Sequence, residues 1–535
     1  MGVDLASKSY LVIDDFADMR SMLRSMLVAY GVTNIEMAGN GKDAIKMLAK
    51  KTYDVVLCDY NLGEGKDGQQ LLEEGKDKGL IPYSTAFLMI TAENTMEMVM
   101  GAVEYLPDDY LSKPFNKDML RSRLEKVIVR KDDLHGIVKL LKQERIEDAL
   151  ALCDDKISQN PRNLTELLKL KAEVLMRSGR YTDAGAIYES VLAKRDAPWA
   201  MLGLGKVYYY SQEYAEAKAV FQKIIDGNKT HMEAYDWLAK TAVALGDQKQ
   251  ALEVLAAATV ISPKSIVRQM ELGNLAFKEK EFGIATKAFK KAVNVGCNSI
   301  YQTPSNYTKL AKMLSKTSGK EALTFLSKLR SDYGRDDEAN LHAAIAESMV
   351  LKDLGRESEA QKAFAEANKL YEKCSDGVAN DTAMEMANAC LMNGDKDRGL
   401  VMLQSLVKNN HQDEKLLARV QDVFGSVGLE AEGQEMIETA IREVVNLNNK
   451  GTQLAKSGRL DEAISLFEKA VRNMPDNCTI NMNIANVLIM YLKANGKNDN
   501  YLYRVRQHLE RVQRHDPGNE NYRKLNDAYE KLMAS

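Results

Sequence analysis

Over the first 130 residues, short apolar runs alternate with amphipathic stretches. The runs are "YLVID" at 10–14, "YDVVLCD" at 53–59, "TAFLMITA" at 85–92 and "DDYLSKPF" at 108–115. Runs this short, with helical patterns between them, mark strands covered by helices on both faces. Strands are predicted near 9–13, 33–37, 54–58, 86–90 and 108–111, each followed by a helix, giving a doubly wound five-stranded parallel sheet. From residue 135 onward the pattern changes to helix formers broken by short Gly, Asn or Asp turns. No Gly/Ser-rich linker marks the boundary, and "KDMLRSRLEKVIVRKDDLHGIVKLLKQERIEDAL" (117–150) reads as nearly continuous helix. The expected organisation is an α/β domain over 1–130 and an all-α domain over 131–535, joined by a helical linker near 117–145. Such a junction transmits orientation better than a flexible one.

The helical part repeats itself. Ala149, Ala184, Ala217, Ala251 and Ala285 are separated by 35, 33, 34 and 34 residues. Four places beyond them stand Cys153, Tyr188, Phe221, Leu255 and Phe289; twelve before the last four stand Ala172, Gly205, Ala239 and Gly273. Small residues at these places let paired helices approach closely. The spacing resembles the tetratricopeptide repeat, a helix–turn–helix unit of about 34 residues that stacks into a superhelical solenoid. Downstream, Ala322, Ala360 and Gly399 lie 37–39 apart, which predicts longer turns; Ala463, Phe467, Ala470 and Pro475 restore the pattern before an insertion near 492–500. About ten helical pairs are expected, the first and last (ending at Pro517) atypical.

Stacked repeats expose a concave surface suited to peptides and proteins. One place past the small position, Lys206, Lys240 and Asn274 recur every 34 residues and are expected to align near Trp199, Tyr209 and Phe277. Such a ladder is either a solvated row or a groove for an acidic or amide-rich extended peptide.

Composition narrows the function. The chain is 45% apolar and 28% charged, with a formal charge of −3, which gives no support for nucleic-acid or anionic-membrane binding. No stretch reaches the roughly 18 apolar residues of a membrane span, and the N-terminus has no secretory pattern. Cys58, Cys153, Cys297, Cys374, Cys390 and Cys478 are scattered, as free thiols of a cytoplasmic protein would be. The six histidines are far apart in sequence, and no P-loop, GxGxxG or basic helix-turn-helix occurs. No output enzyme is expected.

Chemistry gathers instead at the predicted strand ends, where open parallel sheets bind ligands. Asp14 and Asp15 follow the first strand, Asp59 the third, Thr91 the fourth and Lys113 the fifth. Singly, an Asp pair reads as a helix cap and Lys-Pro as a turn. Together, three carboxylates that would repel one another suit a hard cation such as Mg²⁺. One of them can then act as nucleophile toward a phosphoryl group, with Lys113 and Thr91 meeting its oxygens.

These residues, with "SKPF" around Lys113, resemble the receiver domain of bacterial two-component response regulators, over residues 7–130. The resemblance implies that Asp59 is the phosphoacceptor and that Asp14, Asp15 and the Asn61 carbonyl join it in holding Mg²⁺. It implies a cis Lys113–Pro114 peptide, with Thr91 and Tyr110 as the switch pair. Asn61 and Glu93 would tune the phospho-Asp lifetime, a pair shared with the single-domain chemotaxis regulator and suggestive of moderately fast self-dephosphorylation. Met96, Met98 and Met100 fall on the helix expected after the fourth strand, either packing it or facing partners. The expected function is phosphorylation by a sensor histidine kinase or phosphotransfer protein that switches a protein-interaction scaffold. Two other readings stand: a phosphate sink or relay with the repeats as a constitutive dimerisation or tethering device, and a repeat-based phosphatase acting on another regulator.

Overall fold

The computed structural model describes all residues except 1–3, 93–106, 160, 162, 297–298, 316–317, 335, 375–377, 517–518 and 535. Glu93, Met96, Met98, Met100, Cys297 and Pro517 therefore lie outside the described residues. The chain divides into two compact units, one ending at Met313 and one starting at Leu314.

The first unit begins with five strands: β1 (Tyr10–Ile13), β2 (Ile35–Ala38), β3 (Val55–Asp59), β4 (Ala86–Thr91) and β5 (Asp109–Ser112). They form one parallel sheet in the order β2-β1-β3-β4-β5. Alternate residues serve opposite faces. Tyr10, Val12, Val55 and Leu57 pack with Leu23 and Leu27 of α1 (Ala17–Ala29). Leu11, Ile13, Val56 and Cys58 pack with Ala44 of α2 (Gly41–Lys50) and Leu71 and Leu72 of α3 (Gly68–Asp77). Side chains set the helix starts: Asn40 caps α2, Asp67 and Gln70 form a capping box on α3, and Asn116 caps α4 (Lys117–Lys142).

The 26-residue α4 serves two cores. Leu120, Leu124, Val127 and Ile128 lie in the core of the sheet, whereas Leu134 and Ile137 pack with Ala149, Cys153 and Leu167 of the following helices. Beyond it, helices of 12–14 residues alternate with short turns from Ile146 to Val295. Ala149, Ala184, Ala217, Ala251 and Ala285 are fully buried. The small residue of one helix receives an aromatic ring of the next: a Cβ on Gly205 would lie 2.5 Å from the Phe221 ring, and one on Gly273 2.6 Å from Phe289. Close approach of the helices thus comes from a ring filling a missing side chain.

In the second unit the same device recurs at Gly451, where an added Cβ would lie 2.4 Å from the Phe467 ring. Gly451 lies inside Glu430–Lys456, a single 27-residue helix that runs on where a repeat boundary would place a turn. The wider spacing has two causes. Val295 and Pro304, which bound two successive helices, are further apart in sequence than the ends of earlier pairs, as expected, but Asp337–Asp353 and Glu357–Lys373 are each lengthened to 17 residues. The insertion near 492–500 likewise lengthens Cys478–Asn495 and Asp499–His515, leaving a turn at Gly496, whose φ is +89°. Adding residues to a packed helix buries more surface than adding them to a loop. Among the described residues, no helix is long and apolar enough to cross a membrane.

Candidate functional site

Parallel strands bring their carboxyl ends to one edge, and this edge collects the predicted residues. Carboxylate oxygens of Asp14, Asp15 and Asp59 lie within 4.8 Å of one another. Asp14 is fully buried, and Asp59 is only 6% exposed. Lys113 Nζ reaches Asp14 Oδ2 at 3.0 Å and Asp59 Oδ1 at 3.2 Å. The Lys113–Pro114 peptide is cis, and the Lys113 N–H donates to the Thr91 carbonyl at 2.7 Å. The turn after β1 is held by Arg20, whose Nη1 donates to the Asp14 and Asp15 carbonyls at 2.6 and 3.1 Å. Phe16 N–H donates to Asp14 Oδ1 at 2.8 Å.

Burial pushes the Asp59 carboxyl up to about 6, against the pull of Lys113 and with added repulsion from Asp14. Asp15 Oδ1 is buried and accepts no hydrogen bond. Three crowded carboxylates, one oxygen without a partner and a single shared ammonium fit a hard divalent cation with oxygen ligands. Thr91 ends β4 half-buried, and Tyr110 on β5 packs against the cluster containing Tyr60, where burial raises its phenol. Asn61 is exposed, and its Oδ1 accepts the Gly63 N–H at 3.2 Å.

The profile of the response regulator receiver domain matches residues 10–125. Chemotaxis protein CheY-3 of Vibrio cholerae is 32% identical over 120 residues, which are 22% of this chain and 91% of that protein. The chain belongs to the response regulator receiver family. Chemotaxis protein CheY of Pseudomonas aeruginosa is 30% identical over 120 residues, 22% of this chain and 95% of that protein. A solved structure of the chemotaxis response regulator CheY4 of Vibrio cholerae aligns at 26% identity with a TM-score of 0.21, covering 22% of this chain and 98% of that one. Tetratricopeptide repeat profiles match residues 175–226 and 202–266, so the receiver is followed by tetratricopeptide repeats.

The predicted groove residues of the repeats separate into clusters. Lys206 and Lys240 place their ammonium groups 5.4 and 5.0 Å from the ring centroid of Trp237, and Tyr209 meets the same ring edge-on at 5.3 Å. Lys206 also pairs with Glu233. Trp199 meets Tyr188 at 5.9 Å and Lys169 at 5.5 Å. Phe277 packs on Phe282 at 6.0 Å, and Asn274 is exposed.

Trp237, the centre of the first cluster, was not among the predicted residues, although it stands three places before Lys240 on one helix face. Sequence spacing also hid a buried His342, whose Nδ1 lies 3.2 Å from Glu385 Oε2 and Nε2 3.1 Å from Thr382 Oγ1. This resembles a hydrolase triad, but Thr382 is 1% exposed, out of a substrate's reach, so the network ties two helices together.

Proposed function

We propose that this protein is a two-component response regulator in which Asp59 takes a phosphoryl group from a sensor histidine kinase or phosphotransfer protein. The observation that carries this is the convergence of Asp14, Asp15 and Asp59 beside Lys113. A bound Mg²⁺, held by Asp14, Asp15, Asp59 and the Asn61 carbonyl, would neutralise the carboxylates and the phosphoryl oxygens. The Asp59 carboxylate attacks phosphorus; an O–P bond forms, the N–P bond of the donor phosphohistidine breaks, and its electron pair returns to the imidazole. Lys113 then transfers its contact from Asp59 to a phosphoryl oxygen, and Thr91 supplies a hydroxyl donor. Thr91 and Tyr110 report the change, while Asn61 and Glu93 set how long it lasts.

The receiver occupies 1–130 and the repeats 131–535, with the helix near 117–145 between them. Their output is protein binding, supported by the Lys206–Trp237–Lys240 cluster, which suits an extended peptide carrying carboxylates or amides. The central test is labelling by a small phosphodonor with Mg²⁺. Wild type incorporates phosphate and Asp59→Asn does not; equal incorporation in both refutes the assignment. For the output, Lys206→Glu with Lys240→Glu abolishes capture of the partner that wild type retains, and unchanged capture excludes the groove.

A further inference from the structure

α3 hides more of itself than a helix laid on a sheet can hide alone. Leu71 and Leu72 belong to the sheet's core. Gln69 and Glu73, four residues apart, share a second face about 100° further round. They are nevertheless only 6% and 5% exposed. The repeats cover them. Ser299 Oγ donates to Glu73 Oε2 at 3.1 Å, and Gln69 Nε2 donates to Glu73 Oε1 at 3.3 Å. Lys264 holds its ammonium 5.7 Å from the centroid of Tyr60, the residue after Asp59, and acts electrostatically on Asp67, the cap of α3. With Lys291, Ile266 and Val295, these groups line a cleft of about 220 Å³ against the helix.

This contact is polar on both sides. A carboxylate can stay buried there because Gln69 and Ser299 donate to it. Bonds of this kind exchange for water when the surfaces part, unlike the ring-on-glycine contacts between the helices themselves, so the contact resembles a separable interface between domains. α3 is also keyed to the acceptor strand. A Cβ on Gly68 would lie 2.2 Å from the Asp59 carbonyl oxygen, and Gly68 N–H donates to the Tyr60 carbonyl at 2.8 Å.

We infer that the repeat residues Pro263, Lys264, Ile266, Lys291, Val295 and Ser299 form a docking cradle for a helix bearing amide and acidic side chains four residues apart, with α3 as its built-in occupant. A partner helix of the same chemistry is excluded while α3 is seated. The cradle itself does not depend on the phosphotransfer proposed above.

Two arms, both without phosphodonor, test the cradle in the full chain, so a failure of phosphotransfer leaves them intact. In a Cys297→Ser background, Glu73→Cys with Ser299→Cys forms an internal, reductant-reversible disulfide under mild oxidation, and neither single variant does. No disulfide in a double variant with native circular dichroism overturns the docking. The second arm uses Gln69→Lys with Glu73→Lys, which leaves the sheet-facing residues in place. Hydrogen exchange at residues 299–302 rises at least tenfold, and a labelled peptide of residues 66–79 binds this variant at least tenfold tighter than wild type. Unchanged exchange, or peptide binding that is equal or missing in both chains, overturns the cradle.

Discussion

Both the receiver and the repeats bury charge, and they treat it in opposite ways. At the receiver's strand ends, Asp14 and Asp59 are buried around one ammonium, Asp59 is pushed up to about 6, and Asp15 Oδ1 has no partner. In the repeats, Arg268 is 3% exposed and donates twice to Asp236, at 2.7 and 2.9 Å. His342 holds Glu385 and Thr382 through its two ring nitrogens, and His508 Nδ1 lies 2.8 Å from Asn481 Oδ1. A buried group that still wants a ligand is placed for chemistry. One whose bonds are met is placed to fix how helices stack.

The largest expected effect falls on the met pair. Arg268→Met removes both charge-assisted bonds to the partly exposed Asp236 and leaves a hole where the buried guanidinium packed, and should cost about 3 kcal/mol. Hydrogen exchange of helices Met232–Ala244 and Ile266–Lys278 reads the loss. A change within about 0.5 kcal/mol would erase the contrast between the two regions.

His508 gives a pH-dependent version. Burial, reinforced by Arg511 and Arg504, lowers its imidazole to about 4. The folded state therefore binds fewer protons than the unfolded chain, and the stabilisation is full above an unfolded pKa of about 6.5. It is lost as pH falls toward 4, by up to about 3 kcal/mol. Exchange from helices Cys478–Asn495 and Asp499–His515 should accelerate over that window, and His508→Gln should flatten the dependence.

Thr382→Val removes one bond from His342 and should cost about 1–2 kcal/mol in denaturant unfolding. Asp59→Asn should do the reverse. Relieving repulsion among Asp14, Asp15 and Asp59 should raise receiver stability by up to about 1 kcal/mol in metal-free buffer, while phosphate labelling disappears. A destabilisation as large as that of Arg268→Met would show that the acidic cluster supports the fold after all.

Short-range signals were the readable ones. Asp14, Asp15, Asp59, Thr91 and Lys113 could be placed because each follows an apolar run, and a parallel sheet delivers all such ends to one edge. The small-residue period was readable because identical repeats must present identical contacts. Side-chain neighbours in the repeats were less readable: Lys206 and Lys240 meet at Trp237, whereas Asn274 and Phe277 do not join them. Their 34-residue spacing aligns Cα positions, but how far each side chain reaches is settled by its neighbours.

By itself, then, the sequence determined the receiver fold, its acidic edge and the repeat array, since strand ends and helical periods are properties of a few dozen consecutive residues. Only the tertiary structure decided that α4 serves two cores, and that Glu73 meets Ser299 across 226 positions. Arg268 with Asp236 and His342 with Thr382 and Glu385 belong to the same class. Such contacts depend on how each helix pair rotates on the one before it. That rotation is set between neighbouring pairs and is written in no single repeat.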